Sequence, residues 1–69
     1  MQLILKIEGD DKIYASKKDN ALSAEEAAEE IYQLHNKNGP ITMKIRLENG
    51  DWLVLPPEIV KTTMIFIRD

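Results

Sequence analysis

The side chains that could perform catalysis are few in this 69-residue chain. Its one histidine is His35, and a hydroxyl nucleophile such as Ser16 or Ser23 would need that base within hydrogen-bonding reach. Ser23 is better explained as a helix N-cap, and nothing in the sequence places Ser16 near His35. We therefore predict that the protein is not an enzyme, has no cofactor and binds no small-molecule substrate, and that His35 lies at the boundary of a helix.

Acidic side chains are concentrated in one segment, where Glu25, Glu26, Glu29 and Glu30 lie on the polar side of a helical pattern. A solvated helix surface is the ordinary explanation for such a run. The alternative is an acidic inhibitor or mimic that docks on a basic partner through this face. We expect no metal site, because the chain has no cysteine and Asp10-Asp11 lacks the ligand spacing of a calcium loop.

Basic residues alternate along one predicted strand, where Lys44 and Arg46 share an outer face with Tyr14 of another strand. Basic residues beside an aromatic ring are the elements of a platform for single-stranded nucleic acid. The net charge of −3, from 12 acidic and nine basic residues, argues weakly against phosphate binding. A nucleic-acid-binding module is therefore the alternative to a protein-binding one.

Hydrophobic periodicity predicts one α+β domain over residues 1–69, with the element order β-β-α-β-β-β. The expected architecture is a single, mostly antiparallel sheet of about five strands with one amphipathic helix packed on one face. The helix should begin after Ser23, which forms a capping box with Glu26. It should end near Asn38, because Gly39 suits the position that follows a helix.

Three further features of the sequence bear on the core. The predicted inner stripe of the helix consists of small and aliphatic residues with one histidine, namely Ala24, Ala27, Ala28, Ile31, Leu34 and His35. Pro56-Pro57 should end the fourth strand and open a short helical turn. The run from Met64 to Ile67 has no polar position, which is typical of a strand buried on both faces.

The first hairpin is predicted to have a three-residue loop, Gly9-Asp10-Asp11. This loop sets Leu5 opposite Ala15 and turns Ile13 inward. Tyr14 is then expected on the outer face. A two-residue loop would shift the register by one residue.

The second hairpin contains Asn49-Gly50, the strongest short signal for a two-residue type I′ turn. Such a turn pairs Leu47 with Trp52. Trp52 is then expected in the core beneath the helix, and Leu53 and Leu55 on the outer face.

One helix can cover only one face of the sheet, so the second face should stay open. Its apolar side chains are predicted to be Ile4, Tyr14, Leu53 and Leu55, with either Met64 and Phe66 or the alternate pair Ile65 and Ile67. An exposed patch on the order of a few hundred Å² usually marks an interface. Since 69 residues is near the lower limit for independent folding, we expect the protein to bind a second copy as a homodimer, or another protein, through this face.

The compartment is indicated by what the sequence omits. There is no cysteine, no signal-peptide pattern after Met1 and no apolar run long enough for a membrane span. We therefore expect a cytoplasmic protein that does not bind a membrane.

Overall fold

The computed structural model describes residues 1–69 and has the α+β class and the order of elements that the sequence predicts. A short second helix stands before the last strand, at the predicted helical turn. The elements are β1 Gln2–Ile7, β2 Ile13–Ala15, α1 Ala24–Asn38, β3 Met43–Arg46, β4 Trp52–Leu55, α2 Pro57–Val60 and β5 Thr63–Arg68.

The strands form two antiparallel sheets, where the sequence predicted one. The first sheet has the order β2-β1-β5, and the second is the β3–β4 hairpin. An isolated bridge between Ser16 and Leu47 links them. The bridge lies one residue past the ends of β2 and β3, and the second hairpin folds over one face of the first sheet.

The core lies where these two sheets meet. Leu5 at the centre of β1 is fully buried, and it clusters with Leu3, Ile45, Leu55 and Val60. We call the faces that point toward this cluster the inner faces. Only eight of the 69 residues are buried, so the hydrophobic driving force available to a single copy is small.

The ends of α1 are confirmed as predicted. The Ser23 hydroxyl accepts a hydrogen bond from the Glu26 backbone N–H at 3.1 Å, and the Glu26 carboxylate accepts one from the Ser23 N–H at 3.2 Å. At the other end, Gly39 has a φ of 70° and donates its N–H to the carbonyl of His35 at 2.9 Å. Helices often end at a residue with a positive φ, and glycine adopts a positive φ at the lowest cost.

The inner stripe of α1 is narrower than predicted. Ala27 is buried and Ile31 packs against the core cluster, but Ala28 and Leu34 are exposed. The helix contacts β5, and Ala27 and Ile31 are its inward-facing residues. A second apolar row therefore faces solvent, because the β3–β4 hairpin occupies part of the inner face that the sequence assigned to the helix.

In the first hairpin the predicted register is wrong by one residue. Leu5 pairs with Tyr14 and Lys6 pairs with Ile13, so Tyr14 lies on the inner face and Ile13 on the outer face. The loop explains the shift. The Asp10 carboxylate accepts the Lys12 N–H and the Tyr14 hydroxyl, each at 2.8 Å, and this pair of bonds holds the Tyr14 side chain on the side of Leu5.

In the second hairpin the predicted two-residue turn is also wrong. Gly50 donates its N–H to Leu47 at 3.0 Å, and Leu47 donates to Asp51 at 2.8 Å, so three residues form the loop. A type I′ turn needs a positive φ at both central residues, whereas only Gly50, at 93°, has one here. The loop is thus a type I turn followed by a left-handed glycine.

The longer loop turns over every side chain of β4. Ile45 pairs with Leu53, and Arg46 pairs with Trp52. Leu55 is 3% exposed and Trp52 is 54% exposed, the reverse of the predicted placement. A shift of one residue exchanges the two faces of a strand, and WLVL is apolar on both faces, so its pattern alone could not fix the register.

Strand β5 is buried on one face only, which corrects the prediction of burial on both. Ile65 and Ile67 pack against the core cluster, while Met64 and Phe66 are 56% and 51% exposed. The strand pairs with β1 along its full length. Its outer face stays open because α1 and the β3–β4 hairpin both lie on the inner side.

Candidate functional site

The outer face of the first sheet carries a group of apolar side chains that we call the outer patch, namely Ile4, Ile13, Met64 and Phe66. Ile4 lies directly opposite Phe66 on one side and Ala15 on the other. Lys6, in the next row, lies opposite both Met64 and Ile13. The patch is therefore continuous across three strands, with the lysine stem at its centre.

Three of the six residues predicted for a protein interface lie in this patch, namely Ile4, Met64 and Phe66. The other three do not. Leu55 belongs to the core cluster, and Leu53 and Tyr14 pack against it, because both second strands of the hairpins are turned over. Leu53, Leu55 and Tyr14 are therefore corrected from the outer face to the inner one.

Ile13 is the residue of the outer patch that the sequence prediction missed. It is 66% exposed. The two-residue register would have placed it on the outer face opposite Lys6, and the choice between registers depended on a side-chain hydrogen bond from Tyr14 to Asp10. That hydrogen bond joins residues only four apart in the sequence, but hydrophobic periodicity does not predict it.

The basic candidates, Lys44 and Arg46, are exposed on the outer face of β3 as predicted. Their aromatic neighbour is Trp52 rather than Tyr14. The Lys44 ammonium lies 4.7 Å and the Arg46 guanidinium 5.0 Å from the centre of the Trp52 ring. Both distances are within the range of a cation–π interaction.

A shallow groove of about 290 Å³ runs beside this cluster. Four basic residues line it: Lys17, Lys18, Lys44 and Arg46. The Lys17 N–H donates to the Arg46 carbonyl at 2.9 Å, which brings the end of β2 alongside β3. The pair Lys17-Lys18 is visible in the sequence. Its position beside Arg46 depends on a long-range contact between the two hairpins, which the sequence pattern does not predict.

The acidic candidates lie on the exposed face of α1. Glu25, Glu26, Glu29 and Glu30 are all exposed. Glu26 is occupied by the capping box, and Glu29 accepts a hydrogen bond from Gln33 at 2.8 Å. Two of the four carboxylates thus have local structural partners, as on an ordinary solvated helix.

The polar groups considered for catalysis have structural positions. The buried Ser16 hydroxyl accepts the Leu3 N–H at 2.8 Å and donates to the Lys17 carbonyl at 3.1 Å. Gln2, also buried, donates to the Ser16 carbonyl at 3.0 Å and to the Glu48 carboxylate. Hydrophobic periodicity does not predict the burial of a polar residue such as Gln2, which lies beside the bridge between Ser16 and Leu47.

His35 is half-buried at the end of α1, and its Nε2 atom is buried without a hydrogen-bond partner. No hydroxyl lies within hydrogen-bonding distance of it. No three side chains of histidine, cysteine, aspartate or glutamate are close enough together to hold a metal ion.

Two titrating groups are coupled in the first hairpin loop. The hydrogen bond from the Lys12 backbone, followed by the one from the Tyr14 hydroxyl, lowers the pKa of Asp10. The same bond to Asp10 raises the pKa of Tyr14, with desolvation as a second cause. This pair of hydrogen bonds fastens β2 to the loop.

No helix of the chain has both the length and the hydropathy needed to cross a membrane. Comparisons with models of protein families, with curated proteins and with solved structures found no match for the chain. Its candidate sites are therefore two surfaces defined by geometry alone: the outer patch and the basic groove beside Trp52.

Proposed function

We propose that this chain is a small non-enzymatic protein-interaction module that self-associates through the outer patch. The observation that carries the proposal is the excess of exposed surface. A folded monomer of 7.9 kDa should expose roughly 4400 Å², whereas this chain exposes 4923 Å². Part of the excess is the apolar surface of Ile13, Met64 and Phe66, each more than half exposed.

The shape of the outer patch suits a symmetric dimer. In a two-fold interface the same patch on each copy meets itself, and the flat outer face of three strands offers rows that can interdigitate with their own copies. The Lys6 stem can lie within the contact while its ammonium reaches the rim. The central lysine therefore does not prevent the apolar rows on either side from meeting.

The size of the chain is also compatible with dimerisation. A standard interface buries roughly 800 Å² of each partner, which is about a sixth of the 4923 Å² that this chain exposes. With eight buried residues in the monomer, such an interface would add substantially to the total apolar burial. We propose that the module works in the cytoplasm, where a chain without cysteine is not affected by reducing conditions.

The test uses two substitutions in matched surroundings. Met64 in the outer patch and Val54 outside it are 56% and 59% exposed, and each lies directly opposite a lysine, Lys6 or Lys44. A glutamate at either position gains a cross-strand partner, so the monomer should keep its fold. Met64→Glu should raise the dimer dissociation constant at least tenfold, because it buries a charge in the interface.

The measurement is sedimentation equilibrium over a wide range of protein concentration, with circular dichroism as the check on folding. Val54→Glu should keep the dissociation constant of the unaltered chain. An equal effect of the two substitutions would contradict the assignment of the interface to the outer patch. If the mass of the unaltered chain stays at 7.9 kDa at every concentration, self-association itself is contradicted.

A further inference from the structure

The outer face of the second hairpin differs in chemistry from the outer patch. Its largest side chain is Trp52, which is 54% exposed and holds Lys44 and Arg46 within 5.0 Å of its ring centre. These contacts restrict the orientation of the indole without covering it. A fixed and exposed aromatic ring is a surface on which a planar group can stack.

The surroundings of the ring are cationic. Four of the nine lysines and arginines of the chain line the groove beside it, with Asp19 as the one carboxylate among the lining residues. Lys44 and Arg46 are two residues apart on a strand, hence separated by about 7 Å along it. That separation is comparable to the distance between successive phosphates in an extended single strand.

The carboxylates that flank the loop of this hairpin, Glu48 and Asp51, have hydrogen-bond partners of their own. Glu48 accepts a hydrogen bond from Gln2, and Asp51 accepts one from the Asn49 side chain at 3.2 Å. The four basic side chains form no salt bridge within 4.0 Å. Their charges therefore stay available to an anion, although the whole chain carries a net charge of −3.

From this arrangement we infer that single-stranded nucleic acid binds to the outer face of the β3–β4 hairpin. Trp52 stacks on a base, and Lys44, Arg46 and the Lys17-Lys18 pair neutralise phosphates along the groove. Base stacking on aromatic rings combined with a positive groove is how sequence-tolerant binding of single strands is achieved.

The composition of the surface favours nucleic acid over an acidic protein. The cores of protein interfaces are depleted in lysine, whereas three of the four basic residues here are lysines. In contrast, lysine side chains that neutralise phosphates raise the binding affinity, because counterions are released from the nucleic acid. The surface is also separate from the outer patch, so a dimer formed there leaves both copies of the groove free.

The experiment uses Trp52 as its own probe, since it is the only tryptophan in the chain. Eight-nucleotide strands of oligo-thymidine DNA and oligo-uridine RNA are titrated at several salt concentrations, with a duplex of the same length for comparison. We expect the single strands to quench the fluorescence and the duplex to bind more weakly. The logarithm of the affinity should fall with that of the salt concentration by about 0.7 for each phosphate neutralised.

Variants are tested with dye-labelled strands by fluorescence anisotropy. The double variant Lys44→Gln, Arg46→Gln should weaken binding and make the salt dependence shallower by about 1.4. The matched control, Lys37→Gln with Lys61→Gln, removes the same charge from exposed positions elsewhere and should keep that salt dependence. Trp52→Leu should weaken binding at least about fivefold, and Trp52→Tyr should restore most of it.

Three results would overturn the inference. The first is no binding of either strand at low salt. The second is an equal loss of affinity in the Lys44, Arg46 variant and in the Lys37, Lys61 control, which would indicate attraction without a site. The third is quenching by poly-glutamate that matches the quenching by the oligonucleotides, which would assign the groove to an acidic protein partner.

Discussion

The two hairpins of this protein differ in what fixes their registers. In the first, the Asp10 carboxylate binds the backbone of Lys12 and the hydroxyl of Tyr14, so a side-chain contact across the loop sets the pairing. In the second, the backbone conformation of Gly50 sets it, through a three-residue loop. In both cases the second strand is apolar on both faces, and its own pattern has no influence on which face is buried.

The comparison shows why one residue of register matters for function in so small a chain. Turning β2 over moves Ile13 into the outer patch. Turning β4 over moves Trp52 out of the core and beside Lys44 and Arg46. Both candidate surfaces therefore depend on loop chemistry rather than on the strands that carry them.

The largest difference in unfolding free energy is expected between substitutions at two adjacent residues of β4. Leu55→Ala removes a side chain that is 3% exposed and should lower the free energy of unfolding by about 2–5 kcal/mol. Val54→Ala changes a residue that is 59% exposed and should change the free energy of unfolding by no more than about 0.5 kcal/mol. Urea denaturation followed by circular dichroism at one protein concentration measures both.

The two-residue turn would give the opposite order, because it places Val54 inside and Leu55 outside. A larger loss for Val54→Ala than for Leu55→Ala would therefore contradict the structure of the second hairpin. Loss of all folded signal in Leu55→Ala agrees with the account, since a domain of this size has little stability to lose.

A medium effect on the free energy of unfolding distinguishes the last two residues of the second loop, Asn49 and Gly50. Gly50 has a φ of 93°, and an alanine there should cost about 1–2 kcal/mol of unfolding free energy. Asn49→Ala loses two solvent-exposed hydrogen bonds, one from the Asp51 N–H and one to the Asp51 carboxylate, and should cost about 0.5 kcal/mol. Thermal denaturation of the two variants gives the comparison, and a larger cost for Asn49→Ala would indicate a positive φ at that residue.

The smallest effect on stability is expected in the first hairpin, from the titration of Asp10 and Tyr14. Because the pKa of Asp10 is lowered from 3.8, its contribution to stability is present above that pH and is lost as pH falls through the folded-state value. The pKa of Tyr14 is raised from 10.0. Its contribution is therefore present below pH 10.0 and is lost as pH rises through the folded-state value.

This coupling is measured from the absorbance of the tyrosinate in a Tyr32→Phe background, which leaves Tyr14 as the only tyrosine. Asp10→Ala should move the Tyr14 titration to lower pH, since it removes the acceptor of the hydroxyl proton. Asp11→Ala, at the neighbouring exposed position, serves as the control and should leave the titration unchanged. Equal shifts in both variants would show that the hydrogen bond to Asp10 is not what raises the pKa of Tyr14.

The elements that the sequence predicts well are those whose signals are local. The capping box of Ser23 and Glu26, the glycine after α1 and the prolines after β4 each act within a few residues. The first strand of each hairpin is also predicted well. Charged residues alternate there with apolar ones, so Lys6 and Arg46 face solvent.

What the sequence did not predict depends on contacts between distant residues. The two sheets are linked only by an isolated bridge between Ser16 and Leu47, and Gln2 is buried beside it, where it donates to Ser16 and Glu48. The basic surface was predicted in part: Lys44 and Arg46 lie on it, but its aromatic residue is Trp52. The placement of Trp52 on this surface depends on the loop length of the second hairpin. The pair Asn49-Gly50 does not define that length unambiguously.

A nuclear Overhauser measurement tests the register of the second hairpin directly. Leu47 donates to Asp51, so alternation of the ladder makes Arg46 and Trp52 a pair without mutual hydrogen bonds, with Cα atoms about 4.5 Å apart. We expect a strong cross-peak between the Hα protons of Arg46 and Trp52. A cross-peak of that strength between Leu47 and Trp52, with none from Arg46, would contradict it.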